Sequence, residues 1–235
     1  MLSSSEILLH GLFWSALTIG TYFLAKRIYL RWRQPFLMPL AITPALLILI
    51  VVTADETYRD YIRSTGWLVS LLGPAMVAFA VPIYEQRALI ARHWPVLVVG
   101  MLAGTTTAIL SGWTFASLVG LDDALRLSLL PRSVSTPFAM VVSSDIGGAP
   151  DLTAVFVVLT GVFGAILGEL MLTILPVKSA LARGALFGVA AHASGTAKAH
   201  EIGHEEGSVA GLVMVLVGLL NVLVAPLIAH GLPYL

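Results

Sequence analysis

The stretch of sequence that decides the fold runs from residue 129 to residue 150 and reads LLPRSVSTPFAMVVSSDIGGAP. Pro131 and Pro137 enclose the segment RSVST, in which every residue but Val134 is polar. Because proline interrupts the hydrogen-bond ladder of a helix, no helix runs through this stretch unbroken. Free backbone groups at membrane depth are tolerated only where they line a cavity or are buried in protein. We therefore predict a broken or re-entrant helix here.

The composition is that of a membrane protein. Of the 235 residues, 58% are hydrophobic and 11% are charged, and the mean hydropathy is +0.93, whereas about a quarter of the residues in a soluble domain are charged. The formal net charge is zero, which argues against a nucleic-acid partner. The chain has no cysteine, which excludes thiolate metal sites and cysteine nucleophiles. Its N-terminus lacks the basic region of a cleaved signal, so we expect a retained first helix.

Several apolar runs are long enough, or nearly so, to cross a hydrocarbon core of roughly 30 Å. Four of them lack Asp, Glu, Lys and Arg, a fifth is interrupted only by Glu169, and three more are shorter or broken. The charge-free runs are 7–25, 36–54, 94–121 and 207–235, the fifth is 152–177, and the broken segments lie near 66–84, 124–145 and 184–200. We predict an all-α, polytopic helical membrane protein with seven or eight membrane elements in a single domain, residues 1–235.

The basic residues of the loops predict the orientation. The first loop carries Lys26, Arg27, Arg31 and Arg33. Because cytoplasmic loops are enriched in Lys and Arg, we predict a bacterial inner-membrane protein whose N-terminus lies outside. With full spans throughout, Lys178 and Arg183 would fall on the outer side. Lys178 and Arg183 move to the cytoplasmic side if residues 124–145 enter the membrane and return to the same side, or cross the membrane incompletely.

Two halves of the chain match in hydropathy when residue n is placed against about residue n+114. The helix breakers then fall at corresponding positions, although sequence identity is negligible. Interrupted segments at matching positions are the sequence signature of an inverted-repeat transporter. We therefore predict two inverted repeats, of about residues 1–121 and 122–235. The alternative is that any protein of regular membrane helices aligns with itself in this way.

Two helix breaks carry the candidate substrate-binding residues. A half-helix that starts near Pro137 would aim its backbone N–H groups at the first break, which favours an anion, and Arg132 adds a charge-assisted contact to a carboxylate. The second break lies in HASGTAKAHEIGHEEG, residues 192–207. The alternatives are an interfacial loop with a snorkelling arginine and close helix packing by small residues. The predicted binding residues are Arg132, Ser133, Ser135, Thr136, Ser194, Gly195 and Thr196.

Titratable residues near these breaks are candidates for ion coupling or gating. Glu169 lies inside an otherwise apolar run, where a carboxylate is costly and therefore a functional candidate; alternatively it lies one turn from the interface. For His192 the alternative is helix packing. Gly161, Gly164 and Gly168 favour close packing over substrate contact, and Thr105, Thr106 and Thr107 favour interhelical hydrogen bonding. The coupling or gating candidates are Asp145, Glu169, His192, His200, Glu201 and Glu206.

The segment HEIGH, residues 200–204, fits the zinc-protease pattern H-E-x-x-H. That pattern requires both histidines on one helix face and a third ligand elsewhere. No Asp or Glu follows Gly207, and Gly203 weakens a helix by about 1 kcal/mol relative to Ala. We therefore expect no metal, no cofactor and no enzymatic activity, and we interpret the cluster as a polar connector that leads through Gly207 into the last span.

The segments around 131–169 and 183–226 closely resemble the LrgB family, also called CidB-like. The family pattern is P-K-S-V-T-T-P, an I-G-G turn, S-H-G-x-G-T-A-x-A and E-E-G. The resemblance covers essentially the whole chain and is most specific over residues 131–207. The chain departs from the pattern at Arg132, Ser135 and His204, and the last departure creates HEIGH. The motif positions are Arg132, Ser133, Ser135, Thr136, Pro137, Asp145, Gly147, Gly148, His192, Gly195, Thr196, Glu206 and Gly207.

The resemblance implies two hypotheses about function. Plant relatives are plastid glycolate/glycerate translocators and some bacterial members are linked to pyruvate uptake, which implies an ion-coupled transporter of small monocarboxylates. Other bacterial members are antiholin-like regulators of murein hydrolases, which implies control of cell lysis with a holin-like partner of the LrgA or CidA type. The partners expected from sequence are thus a monocarboxylate, the lipid bilayer and such a membrane protein. Gly-rich faces are also compatible with a homo-oligomer.

Overall fold

The computed structural model describes residues 4–34 and 37–231, with side chains for 9–34 and 37–227. Every regular element in these ranges is a helix. Four helical stretches are long and apolar enough to cross a membrane, and Pro39–Thr53 is a shorter apolar helix. The four are Tyr58–Glu85, Arg87–Val119, Pro150–Ile174 and His204–Leu227. The prediction of an all-α helical membrane protein is confirmed, whereas the count of seven or eight membrane elements stays a prediction.

The chain divides into two compact units, Met1–Val77 and Ala78–Leu235. The first contains α1 (Ser4–Trp32), α2 (Pro39–Thr53) and α3 (Tyr58–Ser70), and α4 (Leu72–Ala78) follows at the boundary. The second contains α5 (Ala80–Glu85), α6 (Arg87–Val119), α7 (Asp123–Leu129), a 3-10 turn (Leu130–Ser133), α8 (Thr136–Ile146), α9 (Pro150–Ile174), α10 (Ala180–Ile202) and α11 (His204–Gly231). The single domain and the two inverted repeats stay predictions.

Polar contacts hold α1 against α3 in the first unit. The His10 ring places Nδ1 2.9 Å from Ser64 Oγ and Nε2 2.8 Å from Glu56 Oε1. Trp14 is 2% exposed and meets the ring of Tyr61 edge-on at 5.6 Å. These contacts join positions 46 to 54 residues apart, so local sequence patterns do not reveal them.

Short caps shape the connections on either side of the first broken segment. Asp122 caps α7 by accepting the N–H of Leu125 at 2.8 Å, which satisfies one of the free donors at a helix start. α8 ends at Gly147, whose φ of 89° is a left-handed conformation that glycine adopts without steric cost. Pro150 then starts α9 at a position where its missing N–H is not needed.

The segment from α7 to α8 (Asp123–Ile146), which we call hairpin 1, enters the second unit, reverses, and returns to the end of the unit at which it entered. Near its base, Ser128 Oγ accepts the N–H of Ala149 at 2.7 Å, and Thr153 Oγ1 lies 3.0 Å from Ser128 O. Further in, Leu130 packs in one cluster with Val142. The two arms therefore run antiparallel. Such a reversal is required if residues 124–145 enter the membrane and return, the alternative that places Lys178 and Arg183 on the cytoplasmic side.

α10 is likewise a hairpin, hairpin 2 (Ala180–Ile202). Its backbone leaves the helical region at His192, where φ is 39° and ψ is −121°. Arg183 lies 3.9 Å from Glu206, and the ring of His200 contacts the neighbouring Gly207. In a straight helix, positions 183 and 200 would be about 25 Å apart. The two arms, 180–191 and 193–202, therefore fold back on each other at His192.

The prediction that the second break begins at His192 agrees with the structure, whereas the hydroxyl-rich residues 194–196, expected to belong to the break, are helical. The break is at His192, and Ser194, Gly195 and Thr196 lie in the first turn of the second arm. Thr196 Oγ1 donates to His192 O at 2.9 Å, which closes this turn. Gly195 lies against the backbone of Phe187 in the opposite arm; a side chain there would clash, so glycine is needed for the close approach of the arms.

The long helices α6, α9 and α11 each pack against both hairpins. Hairpin 2 contacts them through Val189 at Gly104, His192 at Val157 and Thr196 at Met214. Hairpin 1 contacts them through Arg132 at Ala108, Ser128 at Thr153 and Phe138 at Gly218. The two sets of contacts are four residues apart on each helix, about 6 Å along its axis. The hairpins therefore enter from opposite ends of the second unit, and their tips meet near its middle.

This packing predicts that Gly188→Ala destabilises the protein. A Cβ on Gly188 would lie 2.5 Å from Ala210 O in α11, whereas a Cβ on Gly100 would meet nothing within 4 Å. Overpacking of this kind costs about 1–3 kcal/mol, while the gain in helix propensity is the same at both positions. Thermal unfolding in detergent should show a lower Tm for Gly188→Ala than for Gly100→Ala. Equal Tm values would contradict the hairpin packing.

Candidate functional site

The tip of hairpin 1 is an extended link between two helical arms. Val134 has φ −103° and ψ 152°, and Ser135 has φ −63° and ψ 144°. α8 starts directly afterwards, and Ser135, at its N-cap, makes no capping bond through its side chain. Ser135 is 3% exposed, and its Oγ has no hydrogen-bond partner among the described residues. The tip thus brings a buried, unsatisfied hydroxyl to the N–H groups that begin a helix.

Arg132 brings a positive charge to this tip. Its Nη1 donates to Ala108 O at 3.1 Å and its Nη2 to Ser111 Oγ at 3.0 Å, both in α6. In the described part of the chain, no carboxylate lies within ion-pair distance of its guanidinium. Arg132 therefore reaches sideways into the unit instead of pairing with an acidic side chain. A charge in membrane surroundings favours a partner of opposite sign.

The tip of hairpin 2 centres on His192. Its ring is buried, and Nε2 lies 3.0 Å from the carbonyl oxygen of Val157, which accepts the N–H. Ser194, on the next arm, is 1% exposed, and within the described ranges its Oγ has no partner. Gly161 in α9 faces both side chains; a Cβ there would lie 2.5 Å from the His192 ring and 2.8 Å from Ser194 Oγ. The glycine therefore makes room for this tip.

The remaining predicted binding residues lie around the two tips. Ser133 and Thr136 flank the extended link and are partly buried. Gly195 packs against the other arm, and Thr196 bonds to the hinge and approaches Met214 Sδ at 3.9 Å. The structure therefore gives Gly195 and Thr196 packing contacts. A substrate contact for these four residues stays a prediction.

Of the coupling or gating candidates, only His192 lies at a tip. Glu169 lies five residues from the end of α9, and its side chain is half exposed. This position fits the alternative that Glu169 lies about one turn from the membrane interface. Its carboxylate pairs with Lys198 at 3.0 Å. Glu201 pairs with the same lysine at 3.2 Å, and Glu206 lies 3.9 Å from Arg183. Asp145 and His200 are exposed near the bases of hairpins 1 and 2 respectively.

The HEIGH segment does not lie on one helix. α10 ends at Ile202, Gly203 is extended with φ −174° and ψ 159°, and α11 starts at His204. The rings of His200 and His204 meet edge-on with centroids 6.3 Å apart. The helical face that a zinc protease uses for its two histidines is therefore interrupted at Gly203.

The sequence patterns missed one buried polar contact between the long helices. Asn221 in α11 is 3% exposed and donates to Thr105 Oγ1 in α6 at 3.3 Å. The predicted role of Thr105 as an interhelical hydrogen-bonder is confirmed. A lone asparagine in the charge-free run 207–235 was the available signal, because buried polar side chains in membranes bond across helices.

An apolar groove of about 590 Å³ runs beside the tips along α9 and hairpin 2. Its walls include Phe156, Phe163 and Leu186, and Thr160 is its one hydroxyl residue among the described side chains. A carboxylate needs donors or cations that such walls lack. The polar side chains of the tips are instead buried in protein.

The glycines of α9 confirm the predicted close packing. A Cβ on Gly164 would lie 2.8 Å from Ala190 O, and one on Gly168 would lie 2.6 Å from the Phe187 ring. Together with Gly161, they form a smooth face on which hairpin 2 rests. None of these contacts leaves space for a substrate.

Comparison with known proteins gives the family. The model of the LrgB-like family matches residues 18–230. Two proteins of Bacillus subtilis (strain 168), both named as uncharacterized, are similar to this chain. YxaC is 38% identical over 212 residues, which cover 90% of this chain and 92% of YxaC. YwbG is 36% identical over 210 residues, which cover 89% of this chain and 93% of YwbG. The Holin-like protein CidB of Staphylococcus aureus (strain N315) is 29% identical over 212 residues, covering 90% and 93%. No solved structure matches. The chain belongs to the LrgB-like family.

The unsatisfied hydroxyl of Ser194, at the tip of hairpin 2, predicts that its removal raises the stability of the protein. Ser194→Ala should raise the Tm, because a buried polar group without a partner costs about 1–3 kcal/mol. Ser128→Ala, at an equally buried position, should lower the Tm, because Ser128 Oγ donates to Ala124 O and accepts from Ala149 N. Thermal unfolding of both variants in one detergent checks this pair. A stabilising Ser128→Ala, or a destabilising Ser194→Ala, would show that the hydrogen-bond assignment is wrong.

Proposed function

We propose that this member of the LrgB-like family carries small anions across the membrane where the two hairpin tips meet. One observation carries the proposal: Arg132 has no carboxylate partner in the described part of the chain and lies three residues from the unsatisfied Ser135 hydroxyl. The N–H groups at the start of α8 point toward the same tip. A bound anion would accept hydrogen bonds from the Arg132 guanidinium, the Ser135 hydroxyl and the backbone N–H groups at the start of α8 at the same time.

The size and charge of this site support a small monocarboxylate. The contacts of the two hairpins on the long helices are only about 6 Å apart along the axis, which favours a short substrate over a long one. The tips contain one permanently charged side chain, Arg132, which matches a single carboxylate. The similarity to glycolate/glycerate translocators favours glycolate, glycerate or pyruvate. Ser133, Ser135 and Thr136 would hold the carboxylate, and Ser194, Gly195 and Thr196 would close the site.

Transport of this kind is proposed to be ion-coupled. His192 is the titratable side chain at the tips, and the carboxylates of Glu169, Glu201 and Glu206 lie at the base of hairpin 2. His192 would therefore act closest to the substrate. The groups at the base, together with Asp145 and His200, would act on the movement of the hairpins. No step in this scheme requires a cofactor or an enzymatic reaction.

The charges at the ends of the second unit support an inner-membrane location. Arg183 lies beside Glu206, and Gln86 donates to Ser208 O at 2.8 Å. The basic connections α5–α6 and α9–α10 therefore lie at one end of the unit, which the positive-inside rule assigns to the cytoplasm. Together with the basic first loop, this favours an N-terminus on the outer side.

A second candidate function is regulation of cell lysis with a holin-like membrane partner. The name of the staphylococcal relatives, Holin-like protein CidB, favours this function directly. The burial of Ser135, His192 and Ser194 within the protein also fits a protein that works through its surface. Such a protein would assemble with an LrgA- or CidA-like chain, or with further copies of itself.

Uptake of labelled glycolate, glycerate and pyruvate into proteoliposomes tests the transport proposal. Arg132→Gln should reduce uptake by about tenfold or more, since a charge-assisted bidentate contact is worth about 1.5–3 kcal/mol. Arg132→Lys keeps the charge, matches the family pattern and should retain most of the activity. Arg87→Gln, outside the tips, is the matched control.

Two results separate the candidate functions. If wild type and Arg132→Gln are equally inactive for all three acids under proton and sodium gradients, with a holin-like partner present, transport is excluded. A stable complex with that partner, unaffected by Arg132→Gln, would then favour regulation. Uptake that depends on Arg132 supports transport whether or not the partner binds.

A further inference from the structure

The two hairpins differ in how they are fastened to α9. Hairpin 1 is fixed by buried hydrogen bonds at its base, from Thr153 to Ser128 and Ser143. Hairpin 2 rests instead on the smooth face of Gly161, Gly164 and Gly168. Small residues give close contact without directional bonds. Hairpin 2 is therefore the element that can separate from α9 with fewer bonds broken.

One ion pair bridges the base of hairpin 2 and α9. Lys198, in the second arm, places Nζ 3.0 Å from Glu169 Oε1. The lysine side chain is 11% exposed, whereas the glutamate side chain is 49% exposed. The carboxylate therefore lies at the surface of the unit, whereas the ammonium is enclosed by it.

Lys198 keeps a counter-ion when this bridge opens. Its Nζ also lies 3.2 Å from Glu201 Oε2, one turn further along the same arm. Glu201 moves with Lys198, whereas Glu169 stays on α9. Breaking the bridge thus leaves no unpaired lysine in a partly buried position, which would otherwise be strongly unfavourable.

Hairpin 2 also has close contacts with α11. Gly184 and Gly188 of the first arm lie against α11, and Arg183 lies 3.9 Å from Glu206 at the start of that helix. The second arm joins α11 directly through Gly203. At the tip, a single bond from His192 to Val157 O connects the hairpin to α9. Hairpin 2 and α11 can therefore move as one body relative to α9.

We propose that the Lys198–Glu169 bridge is a latch that holds hairpin 2 closed over the tip region and that its release, with Lys198 passing to Glu201, exposes the tip. The identity of the solute that then reaches the tip rests on the proposed anion transport. The latch itself concerns only the movement of hairpin 2 away from α9.

The absence of cysteine in the chain makes a direct test available. In Ser194→Cys, the only thiol sits at a position that is 1% exposed in the latched state. Adding Lys198→Gln or Glu169→Gln should raise the rate of maleimide labelling about two- to fivefold, the range that a half-exposed ion pair supplies. Glu201→Gln is the matched control: it removes a partner of the same lysine but leaves the latch, and its labelling rate should not exceed that of the parent, because opening would then leave Lys198 unpaired.

Hydrogen exchange provides a second measurement without the reporter cysteine. Backbone amides of residues 193–202 should exchange faster in Lys198→Gln and Glu169→Gln than in Glu201→Gln. Unchanged labelling and exchange in the first two variants, or an equal increase in Glu201→Gln, would overturn the latch. If both measurements respond but the wild type transports no anion, the proposed function fails and the latch stands.

Discussion

The constraint that governs this molecule is that backbone polar groups cannot be left facing lipid. Two segments leave the helical conformation at membrane depth, at Val134–Ser135 and at His192. Both are enclosed by α6, α9 and α11, so the broken backbone is surrounded by protein. The glycines of α9, α10 and α11 permit this enclosure, because side chains there would hold the hairpins away from the long helices.

The same enclosure creates the polar centre from which function is inferred. Burying Ser135 and Ser194 without partners, next to an arginine without a carboxylate, is unfavourable for a protein whose only task is to fold. Such features are typical of sites that are completed by a ligand. The latch at Lys198 would give the centre a controlled opening.

The sequence predicted the elements that local chemistry determines. Pro131 and Pro137 marked the first break, and the basic residues after α9 indicated that the chain turns back there. The second break was expected to begin at His192 and to include Ser194–Thr196, whereas in the structure only His192 leaves the helical conformation. No residue type predicts so sharp a reversal, since a positive φ at histidine is held by tertiary contacts. Likewise, the partner of Glu169 is 29 residues away, on a helix whose reversal had to be known first.

An experimental structure determined with glycolate present tests the central claim most directly. The account predicts density for one carboxylate between the two tips, within hydrogen-bond distance of Arg132 and Ser135 and facing Ser194. It also predicts that Arg132→Gln lacks this density under the same conditions. Glycolate bound elsewhere in the protein, or tips that remain closed and empty at saturating glycolate in the wild type, would contradict the account.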